Sequence, residues 1–249
     1  MSGSPSPSRL ALAADLIRDA EHVCVFSGAG MSAESGIPTF RDALTGLWEN
    51  YRPEDLATPE GWHRDPDLVW GWYRDRAANL RKVEPNAGHR ALAELGRTKR
   101  RTGGRVSIVT QNVDDLHERA GSTVDAHLHG RILGPRCEFC TYRGDPELSL
   151  ATTRPRCPDC TGSLRPDVVW FGEMLPEREW AAATATIESC SALLIVGTSG
   201  VVHPAAGLPL LAAERGIPII EVNPEPSALT PLAALHLEAA AAEVLPAIS

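Results

Sequence analysis

Val23-Cys24-Val25-Phe26-Ser27-Gly28-Ala29-Gly30-Met31-Ser32-Ala33-Glu34-Ser35-Gly36-Ile37-Pro38-Thr39-Phe40-Arg41 is the stretch from which the rest of the chain can be read. Its first four residues are apolar and rich in β-branched side chains, the pattern of a short buried strand. Gly28 and Gly30 come next without a spacer, and Ser32, Ala33 and Glu34 can open a helix. A strand, a glycine turn and a helix N-terminus can receive a pyrophosphate. Small residues let backbone N–H groups come close, and the helix dipole favours negative charge. Gly28, Gly30 and Ala33 fit G-x-G-x-x-[GA], a spacing that an ordinary tight turn fits as well. Ser35-Gly36-Ile37-Pro38 ends any helix early, so the chain there reads as a loop lying over a bound ligand.

With 249 residues the chain allows one large domain, or one domain with inserted lobes, and can bury a full core. Its 43% hydrophobic and 22% charged residues are those of a globular protein. A net charge of −8 speaks against a general nucleic-acid surface, which needs a basic patch, and suits a basic peptide partner. Lys82 and Lys99 are its only lysines, and the excess of Arg, Ala, Gly and Pro is that of a GC-rich bacterial genome. No stretch approaches the ~20 apolar residues of a membrane span. The opening MSGSPSPSR has neither the apolar nor the basic region of a signal peptide. It reads as a disordered lead-in over 1–8, and a cytoplasmic location is expected.

Between Asp42 and Leu95 no strand-like run occurs. Trp48, Trp62, Trp70 and Trp72 crowd together, with Pro53, Pro59 and Pro66 between short helices, which predicts a helical lobe with a tryptophan core. Tyr73 and Arg76 share a helix face there, and by spacing alone that face is a solvated one. Glu84 to His89 reads as a turn into the next helix. Gly104 to Thr110 is a second strand, with Gln111, Asn112, Asp114 and His117 directly at its C-terminal end. Open parallel sheets bind ligands at that edge. Asn112 or Asp114 serves equally well as the N-cap of a helix through Glu118. Val124 to Leu128 reads as a short strand, and His127 and His129, two apart, face the same way, so spacing does not choose between them.

Cys137, Cys140, Cys157 and Cys160 form C-x2-C-x16-C-x2-C, the spacing of a zinc ribbon. Four thiolates close the coordination shell, so this zinc is structural. Cys24 and Cys190 read as plain buried residues. Leu164 to Glu173 is expected to lead back to the main sheet. Glu177 to Cys190 is helical in pattern, Leu193 to Val196 and Ile217 to Val222 are strands, and a short alanine-rich helix ends the chain. Gly197-Thr198-Ser199-Gly200 is a second small-residue turn. Thr198, Ser199 and Asn223, at strand ends, suit the adenosine half of a dinucleotide.

GAGMSAESGIPTFR at 28–41, TQNVDDLH at 110–117, His129-Gly130, the four cysteines and GTS at 197–199 stand in the order found in the sirtuins. The chain resembles that family over nearly its whole length. The resemblance implies a Rossmann-like doubly wound α/β domain from 9–41, 96–131 and 165–249. Into it a small domain is inserted, made of a helical lobe (42–95) and a zinc-ribbon lobe (132–164), with the substrates in the cleft. It also implies NAD consumed as a co-substrate and held by Gly28, Ala29, Gly30, Ser32, Phe40, Arg41, Gly197, Thr198, Ser199 and Asn223. Gln111, Asn112 and Asp114 are then the residues around nicotinamide and its ribose, and one structural Zn²⁺ is expected.

Acylated lysine peptides or proteins are the implied partners, taken by a monomer. Val168, Phe171 and Gly172 belong to a segment that pairs with the peptide as an added strand. Sirtuins that remove succinyl, malonyl or glutaryl groups carry Y-x-x-R, here Tyr73 to Arg76, and Ala57 resembles the small residue that widens their acyl pocket. In the implied reaction the acyl oxygen attacks the ribose carbon bearing nicotinamide, nicotinamide leaves, and an alkylimidate forms. His129 is the implied general base, with Asn112 also catalytic, and an imidazole of ordinary pKa near ~6.5 is a neutral base at pH 7. The products are free lysine, nicotinamide and 2′-O-acyl-ADP-ribose. Transfer of ADP-ribose to protein at the same site, and a non-catalytic NAD-binding regulator, are the alternative readings. His203 stands where many sirtuins have tyrosine.

Overall fold

A computed structural model describes residues 5–38 and 51–249. In chain order its regular elements begin with α1 (Pro7–Asp19), β1 (His22–Ser27), α2 (Gly30–Ala33), α3 (Pro53–Leu56), α4 (Pro59–Arg64) and α5 (Pro66–Leu80). They continue with α6 (Ala87–Arg101), β2 (Arg105–Thr110), α7 (Leu116–Arg119), β3 (Val124–His127), β4 (Arg136–Cys137) and β5 (Leu164–Arg165). The last are α8 (Glu177–Ser189), β6 (Ala192–Val196), α9 (Leu208–Glu214), β7 (Ile219–Val222), β8 (Leu235–Leu237) and α10 (Ala241–Ile248).

These elements form two compact units, one of Met1–Gly36, Glu84–Leu128 and Glu177–Ser249, the other of Ile37–Val83 and His129–Pro176. The first unit holds a six-stranded parallel sheet in the order β3-β2-β1-β6-β7-β8. Its central strands β1 and β6 are buried throughout, as strands covered on both faces must be. Ala13 and Ile17 of α1, Leu92 and Leu95 of α6, and Val244, Leu245 and Ile248 of α10 cover one face. The chain runs from β1 outward to β2 and β3, then returns to place β6 on β1's other side. The strand order therefore reverses between β1 and β6, the place where such sheets bind ligands.

The boundaries of the units differ from the sequence reading. The chain leaves the first unit after Gly36 and not after 41, and α1 begins at Pro7, within the 1–8 expected as a disordered lead-in. Helix α6 belongs whole to the first unit, although its residues up to 95 read as part of the helical lobe; its first turn packs so closely on α10 that a Cβ on Gly88 would stand 3.0 Å from the Ala241 carbonyl oxygen. His129–Arg131 leaves the first unit: β3 ends at His127, and the backbone next pairs with Asp167–Val169. Leu164–Arg165 does not lead back to the main sheet but forms β5, antiparallel to β4 beside the cysteines, and the chain stays in the second unit to Pro176. Strand β8 carries too short a pattern to be read from sequence, being three residues long with His236 at its centre.

In the second unit Trp62, Trp70 and Trp72 are buried, as their clustering predicts; Trp48 lies outside the described residues. Trp62 donates to Glu138 Oε2 (3.3 Å) and Trp70 to the Ala151 carbonyl (2.9 Å), so each of these two buried indole N–H groups has an acceptor.

Candidate active site

In the first unit the turns after β1 and β6 lie back to back. Gly28 N–H donates to the Val196 carbonyl (2.9 Å) and Gly30 N–H to the Gly197 carbonyl (2.8 Å). A Cβ on Gly30 would stand 2.7 Å from Gly197 Cα, and one on Gly197, whose φ is +59°, would stand 2.4 Å from the Gly30 carbonyl carbon. The glycines expected for close approach of a pyrophosphate thus serve first to let the two turns touch. Ala29, at the tip, is exposed, as is Ser199 in the facing turn.

A chain of polar side chains, buried at Ser32, Asn112, Asp114 and Thr198 and half-buried at Gln111 and Asn223, joins these turns to the end of β2. Asn112 Nδ2 donates to Ser32 Oγ (3.1 Å), and Ser32 Oγ donates to Asp114 Oδ2 (2.9 Å). Gln111 Nε2 reaches Thr198 Oγ1 (2.9 Å), and Asn223 Nδ2 reaches the Thr198 carbonyl (3.0 Å). Asp114 also accepts from Leu116 N–H (3.1 Å) at the start of α7, but the N-cap position is Asp115, whose side chain makes no capping bond, so neither Asn112 nor Asp114 is the cap that the spacing allowed. Burial raises the Asp114 pKa above the ordinary value. The structure therefore brings together Ser32, Gln111, Asn112, Asp114, Thr198 and Asn223. Phe40 and Arg41 lie outside the described residues.

Three histidines of this unit, His89, His117 and His127, lie around that chain. Ser27 Oγ donates to Thr110 Oγ1 (2.9 Å) and accepts from His117 Nε2 (3.0 Å). His127 is buried, with Asn112 O at 3.3 Å from one ring nitrogen and Glu118 Oε1 at 2.8 Å from the other. His89 closes a capping box with Asn86, whose side chain also donates to the Met31 carbonyl (2.9 Å). The rings of His89 and His117 meet edge to face at 4.9 Å.

Burial lowers the pKa of His89 to about 3 and of His117 to about 4. An unfolded chain takes up protons at both below ~6.5 while the folded one does not, so stability falls as pH drops from there towards 4. We expect the melting temperature to decline from pH 7 to pH 5, and His89→Gln to flatten that slope; a slope unchanged by the substitution would contradict the assignment.

In the second unit, Val169 N–H donates to the His129 carbonyl (2.9 Å) and Arg131 N–H to the Asp167 carbonyl (2.8 Å). Between them Gly130 has φ +77°, and a Cβ there would lie 2.0 Å from Asp167 O, so only glycine fits. The partner segment is itself clamped. Arg165, buried, makes a bidentate pair with Glu173 (2.6 and 2.9 Å), donates to the Val168 carbonyl (2.9 Å) and stacks on Trp170 at 3.3 Å. Sequence reasoning misses both Arg165 and Glu173; an arginine bounded by Leu164 and Pro166 in an apolar run is the available signal. His129 is half-buried at the end of this pairing.

Phe171 N–H donates to the Ala57 carbonyl (2.9 Å), which joins two predicted substrate residues, and Gly172 comes next with φ +89°. Tyr73 is buried and accepts from Trp170 Nε1 (3.0 Å), which leaves its own proton for another acceptor. Arg76 lies over the Trp72 ring at 4.7 Å. His203, in the first unit, is exposed.

The Sγ atoms of Cys137, Cys140, Cys157 and Cys160 all lie within 4.8 Å of one another. The 137–160 and 140–157 separations are 3.5 and 3.6 Å, far beyond the ~2.05 Å of a disulfide. Tetrahedral Zn–S bonds of ~2.3 Å need S···S edges close to those separations. Phe139 N–H points at Cys137 Sγ (3.4 Å), as befits a thiolate ligand. The four residues fit Zn²⁺. We expect one zinc per chain by elemental analysis, and Cys157→Ser to lose it together with the fold of the 132–165 segment; a zinc-free, fully folded protein would refute the site.

Fold and site together define an α/β protein with paired glycine turns where its parallel sheet reverses, and with a four-cysteine cluster that fits zinc. Residues 28–204 match the Sir2 family, and the chain belongs to that family. It is 49% identical over 238 residues to the NAD-dependent protein deacylase of Methylococcus capsulatus, covering 92% of each chain. A Sir2 homologue solved as its NAD complex superposes with a TM-score of 0.89 at 43% identity, covering 100% of this chain and 94% of that one. A Sir2 protein solved with a myristoylated histone peptide superposes at 0.78 with 34% identity, covering 98% and 95%.

Proposed function

We propose that the protein is an NAD-dependent protein-lysine deacylase that releases nicotinamide and 2′-O-acyl-ADP-ribose. The observation that carries this reading is the buried chain Asn112–Ser32–Asp114, tied to the glycine turn where the sheet order reverses. In a Sir2-family protein this is the polar set that would surround nicotinamide and its ribose, while Thr198, Ser199 and Asn223 take the adenosine half. NAD is a substrate here, and the residues have three tasks. The first unit's polar chain fixes the ribose, so that the acyl oxygen of a modified lysine can displace nicotinamide. The backbone of Val168 to Gly172 offers main-chain groups to an extended peptide, which fits many sequences because such bonds carry no side-chain information. His129 takes the proton of a ribose hydroxyl.

Tyr73 and Arg76 favour acidic acyl groups: a guanidinium binds a carboxylate and a phenol adds one donor. The zinc site holds the ribbon and takes no part in the chemistry. Incubating the protein with NAD and peptides carrying acetyl-, succinyl- and glutaryl-lysine, followed by mass spectrometry, tests the proposal. Loss of acyl groups with matching release of nicotinamide is expected. Adenylate label retained on protein would instead favour ADP-ribosyl transfer.

A further inference from the structure

Glu221 is fully buried in β7, directly before Val222 and Asn223, and nothing in the proposed reaction uses it. A carboxylate inside a sheet costs free energy unless it is hydrogen-bonded. Both of its oxygens accept from one loop. Ser227 Oγ donates to Oε1 at short range, and Thr230 Oγ1 donates to Oε2 at 2.5 Å. Those hydroxyls in turn accept backbone donors of the same loop, Leu229 N–H on Ser227 (3.0 Å) and Ser227 N–H on Thr230 (2.8 Å). The carboxylate is the centre on which residues 227–230 close.

The loop so shaped lies on the turn after β6. Ala228 N–H donates to the Ser199 carbonyl (3.1 Å), and Leu229, buried, fills the space at Gly200, where a Cβ would stand 2.6 Å from it. Asn223, two residues after Glu221, holds the Thr198 carbonyl from the other side.

We propose that Glu221 is a positioning residue for the adenosine half of the NAD site, acting through the 227–230 loop on Ser199 and Gly200. This rests on the reading of Thr198, Ser199 and Asn223 as nucleotide contacts. The loop is not tied to the peptide side of the reaction by any of these bonds, so its release acts on NAD affinity.

The test is steady-state kinetics with NAD varied at saturating acyl-lysine peptide, together with calorimetric binding of ADP-ribose. Glu221→Gln keeps the size of the side chain but cannot accept from both hydroxyls. It is expected to raise KM for NAD and weaken ADP-ribose about tenfold, the scale of one charge-assisted hydrogen bond, with kcat within about twofold. Ser227→Ala with Thr230→Val should reproduce the effect, and Thr230→Ser, which keeps the hydroxyl, should restore the wild-type KM. These variants leave the carboxylate in place should Glu221→Gln fail to fold. A fall in kcat with KM and ADP-ribose binding unchanged would mean a general structural role and overturn the proposal. A wild-type protein that binds ADP-ribose but removes no acyl group would sink the deacylase reading alone, and the binding comparison would still decide on Glu221. Wild type binding no ADP-ribose would end both.

Discussion

Replacing His129 by tyrosine is expected to lower deacylation by about 10³-fold, within the range a general base contributes, while the melting temperature stays near that of the wild type. The backbone at this position is set without the side chain. The His129 carbonyl accepts from Val169 N–H, and Gly130 meets Asp167 so closely that the register cannot slip. The substitution therefore removes an imidazole and leaves its frame. A phenol of ordinary pKa near ~10 is almost wholly protonated at pH 7 and cannot take the ribose proton. In the proposed reaction the base acts only after nicotinamide has left, so the two half-reactions should separate. Exchange of labelled nicotinamide into NAD, in the presence of acyl peptide, should persist in His129→Tyr, while free lysine and acyl-ADP-ribose disappear. Exchange and deacylation lost together would place His129 in the first step or in the fold. Deacylation near the wild-type rate would remove it from the mechanism.

Much of this arrangement is legible in the amino-acid sequence because it is local. The apolar runs around Val25, Ile108 and Ile195, each ending at small or polar residues, mark the parallel strands, and the two glycine turns mark the place where they reverse. The four cysteines announce their own geometry, since only a metal explains two C-x2-C pairs at that spacing in such a chain. The hidden part depends on residues far apart in sequence. That Gly30 is needed because Gly197 presses against it is a contact across more than 160 positions, and neither turn alone reveals it. His127 and His129 are equivalent by alternation. They part only because β3 stops at His127, whose ring faces Asn112 and Glu118, while His129 goes on to pair with Asp167–Val169. Helix α6 reads from sequence as part of the helical lobe because its hydrophobic face shows that it packs, without showing on what.

Arg76→Met is expected to lower the preference for succinyl- over acetyl-lysine, measured as the ratio of kcat/KM on peptides of one sequence, by about 10²-fold. The size comes from two charge-assisted hydrogen bonds to a carboxylate, each worth ~1.5–3 kcal/mol and partly replaced by water when lost. Methionine keeps an unbranched apolar side chain where the guanidinium carbon sits 4.7 Å from the Trp72 ring centroid, so helix α5 should be preserved. In the proposed acyl pocket Tyr73 is the second donor. Burial raises its pKa to about 12, the nearby positive charge of Arg76 opposing this only in part, so it stays a neutral phenol across the working pH range. Its oxygen already accepts from Trp170, and its proton is the group it can offer an acyl carboxylate. Tyr73→Phe should therefore shift the same ratio in the same direction but less, about tenfold, as one neutral donor is lost. Acetyl-lysine has no carboxylate for either residue, and its kcat/KM should hold or rise once the cation is gone, since a neutral acyl chain seated beside a guanidinium displaces its water without replacing it by an anion. A ratio unchanged by both substitutions would show that this pair belongs to the helix and not to the acyl site.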